Sequence, residues 1–202
     1  MLSLRNLVVC FGIATLVAIT VVVGLVWHWD GRVQTSAGEA LIGGPFTLTD
    51  QHGARVTEQD FAGRFMLVYF GYTFCPDICP TSLTVMAAAL DRLPEAQAEQ
   101  VVPVLITLDP ARDTVEQLAD YAPLFHPRLV ALTGSEEEVR EAARAYRVYY
   151  HVPEEHGDAY LVDHSTFVYL MGPDGSYRTH FGIDASPEAM AEAIGQEIAA
   201  SG

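Results

Sequence analysis

The order of apolar runs predicts an α/β single domain built on a central mixed sheet, preceded by one N-terminal transmembrane helix. Three observations carry this. Leu7 to Trp27 is an uncharged stretch of about 21 residues, about 31 Å as helix, enough to cross a bilayer core. Arg64 to Phe70, apolar from Phe65 on, and the mainly apolar Val101 to Leu108 have the pattern of strands buried on both faces. Between and after them lie segments of helical periodicity with start and stop signals, so strand and helix alternate along the chain.

The anchor comes first. Arg5 precedes the apolar run and Asp30 follows it, with Trp27 and Trp29 at the expected interface. The flanking Arg predicts the N-terminus inside and the bulk of the chain outside the cytoplasm. The run exceeds a signal-peptide h-region, and Thr35-Ser36-Ala37 is a weak cleavage site, so residues 1–29 read as an uncleaved anchor. Val9 stands before Cys10 where a lipidation site needs a small residue, and Cys10 therefore reads as a membrane-helix cysteine. Residues 30–41 form a linker, and residues 42–202 the folded domain. The expected location is a bacterial-type inner membrane, single-pass, with the domain in an oxidising periplasm.

Charge narrows the function classes. The 202 residues carry a formal −15, and since residues 1–29 hold one Arg and no acid, the rest carries −16. A nucleic-acid-binding role needs a basic footprint and is excluded.

Within the domain, Phe46-Thr47-Leu48-Thr49 and Ala54-Arg55-Val56-Thr57 flank Asp50-Gln51-His52-Gly53 as a hairpin. After the strand Arg64 to Phe70, a helix runs to about Leu93 and stops at Pro94. The strand Val101 to Leu108 closes at Asp109-Pro110. Asp113, with Glu116 three residues on, predicts a capping box for a helix whose buried face is Val115, Leu118, Ala119 and Ala122. Leu129 to Leu132 is a short strand. Ser135 and Glu138 repeat the capping signal, with Val139, Ala142, Ala143 and Tyr146 facing inward. Tyr149 to Asp163 is a polar connection. Ser165 to Met171 and Ser176 to Ile183 then pair across Gly172-Pro173-Asp174-Gly175. Ser186-Pro187 starts a last helix with Met190, Ile194 and Ile198 on one face.

Thiol chemistry concentrates in Tyr69-Phe70-Gly71-Tyr72-Thr73-Phe74-Cys75-Pro76-Asp77-Ile78-Cys79-Pro80. Cys75 and Cys79 are the only cysteines outside the anchor. A cysteine pair between the first core strand and its helix is the thioredoxin-like arrangement. Proline suits the first helical position, which predicts a helix beginning at Pro80 with Cys79 at its cap and a depressed thiol pKa there. Three readings compete: a structural disulfide, a thiol–disulfide oxidoreductase, and a metal site. Oxidoreductases usually place two residues between the cysteines, and this chain places three. Thiolates select Cu(I), zinc or iron–sulfur clusters, but two cysteines close none of these alone.

Of seven histidines, His164 has the most suggestive setting, since in a thioredoxin-like sheet its loop returns beside the cysteine loop. Asp163 beside it would orient the imidazole or add an oxygen ligand. His28, His52, His126 and His180 read as surface or core histidines. His151 and His156 flank an acidic loop with Glu154, Glu155 and Asp158, a weaker second metal candidate.

Gly71 to Pro80, Asp109-Pro110-Ala111-Arg112-Asp113-Thr114, Val162-Asp163-His164-Ser165 and Gly172-Pro173-Asp174-Gly175 together closely resemble the Sco/SenC family over roughly residues 42–200. The resemblance implies a membrane-anchored, thioredoxin-like copper chaperone with Cys75, Cys79 and His164 as ligands of Cu(I) or Cu(II). It implies copper delivery to the dinuclear centre of cytochrome c oxidase subunit II, with other copper chaperones and a thioredoxin-like periplasmic reductant as further partners. The alternative it leaves open is a membrane-anchored oxidoreductase in which Cys75 and Cys79 form a redox-active disulfide that reduces that subunit's cysteines.

Overall fold

The computed structural model describes residues 42–153 and 159–201. The expected anchor and linker, Cys10, His28 and His156 lie outside the described residues. None of the described helices is long and apolar enough to cross a membrane.

The core is a seven-stranded mixed sheet. Its strands are β1 (Thr47–Asp50), β2 (Arg55–Thr57), β3 (Phe65–Gly71), β4 (Val101–Thr107), β5 (Val130–Thr133), β8 (Val168–Met171) and β9 (Tyr177–Phe181), in the spatial order β2-β1-β5-β4-β3-β8-β9. Two short strands, β6 (Tyr150–His151) and β7 (Asp163–His164), pair separately. Every residue of β3 and β4 is buried, as their unbroken apolar runs require. Burying each large side chain here stabilises the fold by about 1.5–3 kcal/mol.

β3 and β4 run parallel, Phe65 opposite Val101 through Gly71 opposite Thr107. Parallel neighbours need a crossover, supplied here by α1 (Ile78–Leu90) and the single turn α2 (Glu95–Ala98). α3 (Val115–Tyr121) carries the next crossover from β4 to β5. β8 runs antiparallel to β3, with Tyr69 opposite Val168. The start of β8 therefore lies at the C-terminal end of β3, which is where α1 begins. That one topological fact brings residue 164 to the cysteines. α4 (Glu136–Ala145) and α5 (Pro187–Ser201) complete the layers.

Most local signals hold. The first hairpin registers Thr47 opposite Thr57, and Ser135 and Glu138 form the expected capping box. The four inward positions of α4 are fully buried, Tyr146 just past its end included. Ser186 Oγ accepts from the Ala189 N–H at the start of α5, where Met190 and Ile194 are buried.

Two boundaries differ, and both matter to the site. α1 begins at Ile78 rather than Pro80, with Asp77 as its cap residue. The N–H groups of the first turn have no intrahelical acceptors, so the missing N–H of Pro80 is no more costly at the third position than at the first. The second difference is Asp113. It does not cap α3: Thr114 does, its side chain accepting from the Gln117 N–H at 3.2 Å. Asp113 is instead completely buried.

Candidate metal centre

Because α1 starts at Ile78, Cys79 occupies its second position, and helical side chains lean back toward the N-terminus. That lean carries the Cys79 sulfur into the core, where the residue is fully buried against β3. Cys75 stays on the preceding loop, half-buried. Both are free thiols. The Cys75 Sγ accepts from the Cys79 backbone N–H at 3.4 Å, so the helix start faces Cys75.

His164 completes the group. Its Nε2 lies 3.5 Å from Cys79 Sγ, and its Nδ1 lies 2.8 Å from the Ser165 carbonyl oxygen. A carbonyl only accepts, so Nδ1 carries the proton and Nε2 presents a lone pair to the sulfur. The edges of Tyr69 and Tyr72 hold the imidazole at ring-centroid distances of 6.2 and 5.9 Å. The Tyr72 hydroxyl accepts from the Val162 N–H, fixing the strand that presents His164.

One ligand atom from each of Cys75, Cys79 and His164 falls within 4.8 Å of the others. Such a cluster can converge on one ion, with thiolate and imidazole donors each about 2.0–2.3 Å from the metal. Two sulfurs and one nitrogen make a soft, incomplete set. It lacks the fourth ligand a structural zinc requires and suits Cu(I), while the imidazole makes Cu(II) tolerable. The residues present fit copper.

The electrostatics invert the expectation about the thiols. Burial pushes the Cys79 thiol up to about 12, and hydrogen bonds from the Tyr72 backbone and the Tyr69 hydroxyl only partly oppose it. At Cys75 burial also acts upward, but backbone N–H groups of Asp77, Cys79 and Ile78 outweigh it, and the net direction is down. The helix N-terminus therefore stabilises the loop thiolate, not the one on the helix. Desolvation lowers the His164 pKa against the opposing Ser165 carbonyl, which keeps the imidazole neutral and able to ligate.

Around this centre sit residues that the sequence motifs contained without revealing their roles. The Asp113 carboxylate accepts from Thr73 N (3.0 Å), Thr73 Oγ1 (2.6 Å) and Thr107 Oγ1 (2.6 Å), pinning the cysteine loop to the end of β4. Burial holds its pKa above the usual carboxylate range, against those three donors. Arg112 pairs with buried Asp109, stacks 3.5 Å from the Tyr160 ring centroid and 4.7 Å from that of Phe74, and donates to the Tyr160 carbonyl. The Tyr160 hydroxyl in turn donates to Asp109 at 2.6 Å. This cluster joins the cysteine loop, the β4–α3 loop and the approach to His164. The signal was an arginine set between two aspartates just past a core strand.

Asp163 reaches the His164 imidazole through its charge, which acts to raise the pKa there, and not through a hydrogen bond. Its residue is exposed, the Ser165 carbonyl takes the Nδ1 proton, and Asp163 is absent from the three-residue group. Alternating strand geometry explains this: successive side chains on β7 point to opposite faces, so Asp163 turns out when His164 turns in. His151 pairs opposite Asp163 and is absent from the three-residue group. His180 packs against Phe167 with its Nδ1 beside the Tyr177 hydroxyl, and His126 is half-buried near Arg128.

Comparisons with known proteins agree with this geometry. The SCO1/SenC family profile matches residues 34–199. Protein SCO1 homolog 1, mitochondrial, of Arabidopsis thaliana is 47% identical over 163 residues, covering 81% of this chain and 49% of its own. The chain thus spans about half the length of that relative. Protein SenC of Rhodobacter capsulatus is 42% identical over 188 residues, covering 91% of this chain and 85% of SenC. The crystal structure of Arabidopsis thaliana ScoI with copper bound superposes with a TM-score of 0.74 at 45% identity, covering 79% of this chain and 99% of that one. A thioredoxin-like sheet, two cysteines at the β3–α1 corner and a histidine before β8 are thus joined to a family match over most of the sequence, and the chain belongs to the SCO1/SenC family.

Proposed function

We propose that this protein is a copper metallochaperone that binds Cu(I) or Cu(II) through Cys75, Cys79 and His164 and delivers it to the dinuclear copper site of cytochrome c oxidase subunit II. The observation that carries the reading is the convergence of two sulfurs and a lone-pair-bearing Nε2 within 4.8 Å. The set is held open by its surroundings: one sulfur is half-buried and accessible, the other anchored in the core. A partner offering thiolates and imidazoles can displace the accessible arm first, so transfer proceeds by ligand exchange. In this reading residues 1–29 anchor the chain in the inner membrane, residues 42–202 work in the periplasm, and a thioredoxin-like reductant keeps the thiols reduced.

A second reading draws on the same asymmetry. A half-exposed thiol with a lowered pKa beside a buried one is the arrangement of an attacking and a resolving cysteine. In it the pair reduces the cysteines of the same oxidase subunit. The test loads the full chain in detergent with one copper and mixes it with the reduced, metal-free soluble domain of subunit II. Copper moving to the subunit supports delivery. Reduction of the oxidised subunit by the copper-free protein, with no copper transfer from the loaded one, supports the second reading and contradicts the first.

A further inference from the structure

Tyr69 poses a question that packing alone does not answer. It lies in β3, Phe65–Gly71, where it is the one residue with a polar side-chain atom, and it is completely buried. A buried hydroxyl without a good acceptor destabilises a core, so phenylalanine would serve as filler at lower cost. The Tyr69 hydroxyl has an acceptor: it donates to Cys79 Sγ at 3.6 Å. A protonated thiol is a weak acceptor, whereas a thiolate is a strong one. Tyrosine here makes physical sense for the state in which that sulfur is ionised, which is the metal-bound state.

The surroundings keep this contact in place. A Cβ added to Gly71 would fall 2.7 Å from Tyr69 Cε1 and 3.0 Å from Cys79 Sγ, so only glycine leaves room for ring and sulfur to touch. The Tyr69 ring also meets His164 edge-on.

Building on the copper reading above, we propose that Tyr69 is a positioning residue that sets the oxidation-state preference of the bound copper. A hydrogen bond to a ligating sulfur withdraws electron density from it and weakens its donation to the metal. Cu(II) depends on that donation more than Cu(I), so the bond favours the reduced ion. The couple is Cu(II) plus one electron to Cu(I), with the electron drawn from a mediator in solution.

The experiment uses the full chain in detergent with one bound copper, as wild type, as Tyr69→Phe, and with 3-fluorotyrosine at position 69. Fluorination keeps the shape and makes the hydroxyl a stronger donor. The readouts are the energy of the sulfur-to-Cu(II) charge-transfer band and the ratio of Cu(II) to Cu(I) affinity by chelator competition. Tyr69→Phe is expected to lower the band energy and raise the ratio about tenfold, or about 59 mV on the one-electron potential. The fluorinated protein is expected to move both in the opposite direction. Copper-loaded variants with an unchanged band and ratio, or shifts of one sign in both variants, would overturn the proposal. Failure of the wild type to bind copper overturns the copper reading itself, a separate outcome.

Discussion

His164 Nε2 sits 3.5 Å from Cys79 Sγ although 85 positions separate the two residues in sequence. The sheet order makes the meeting: β8 pairs antiparallel with β3, so the segment entering β8 lies over the corner where β3 gives way to α1. With Nδ1 engaged by the Ser165 carbonyl, the Cys79 S–H has an acceptor in Nε2. The line between sulfur and nitrogen is where a metal ion would replace a proton. Binding therefore releases protons, and the retained copper falls as pH falls.

The two thiols differ in reach and in acidity. In the reduced, copper-free protein, iodoacetamide is expected to alkylate Cys75 at least about tenfold faster than Cys79, because thiolate fraction and exposure both favour it. The pH midpoint for Cys75 modification should lie below the ordinary thiol value of 9.0. Peptide mapping by mass spectrometry reads both rates, and preferential labelling of Cys79 would contradict the assignment.

Alkaline stability follows from the buried thiol. Cys79 is held up to about 12 in the folded protein against an ordinary 9.0. Above pH 9 the unfolded chain loses this proton while the native one keeps it, so the unfolded state gains. The stabilisation is complete below pH 9 and is lost as pH rises toward 12. Urea midpoints of reduced, copper-free protein should decline across that window, and less steeply in Cys79→Ala. Equal slopes in the two proteins would count against the buried thiol.

Asp113 ties the loop that carries Cys75 to the end of β4. Asp113→Ala leaves the Thr73 N–H and two threonine hydroxyls without their acceptor, and is expected to cost about 1–3 kcal/mol in urea unfolding. Asp113→Asn keeps one acceptor oxygen and should lose less. Copper affinity should fall with Asp113→Ala because the loop is loosened. An unchanged unfolding midpoint would show that the buried carboxylate does not hold it.

The fold was legible where local signals and tertiary demand agree. The continuous apolar runs of β3 and β4, the Ser135–Glu138 capping box and the hairpin turns each state their structure in a few residues. The cysteine corner was legible too, because strand, CxxxC and helix are adjacent in sequence. What failed was what depends on burial. Asp113 carries a cap residue's side chain, and only the packed loop shows that it serves Thr73 and Thr107. The helix-terminus argument assigned the depressed thiol to Cys79, but desolvation acts on the sulfur that enters the core, and sequence does not say which one does. Asp163 and His164 are neighbours, and the strand's alternation leaves Asp163 exposed, so its charge rather than a hydrogen bond reaches the imidazole. The Arg112–Tyr160 stack joins residues 48 apart, and the arginine set between two aspartates does not name its aromatic partner.

The central claim is that three side chains make one copper site. Its most direct test titrates Cu(I) into the reduced full chain with a competing chelator, alongside Cys75→Ala, Cys79→Ala and His164→Ala. The account predicts one tightly bound copper per chain, lost in either cysteine variant, with His164→Ala retaining Cu(I) more weakly and losing most of its Cu(II) affinity. One copper bound with unchanged affinity in Cys75→Ala or Cys79→Ala, or no stoichiometric copper in the unmodified chain, would contradict it.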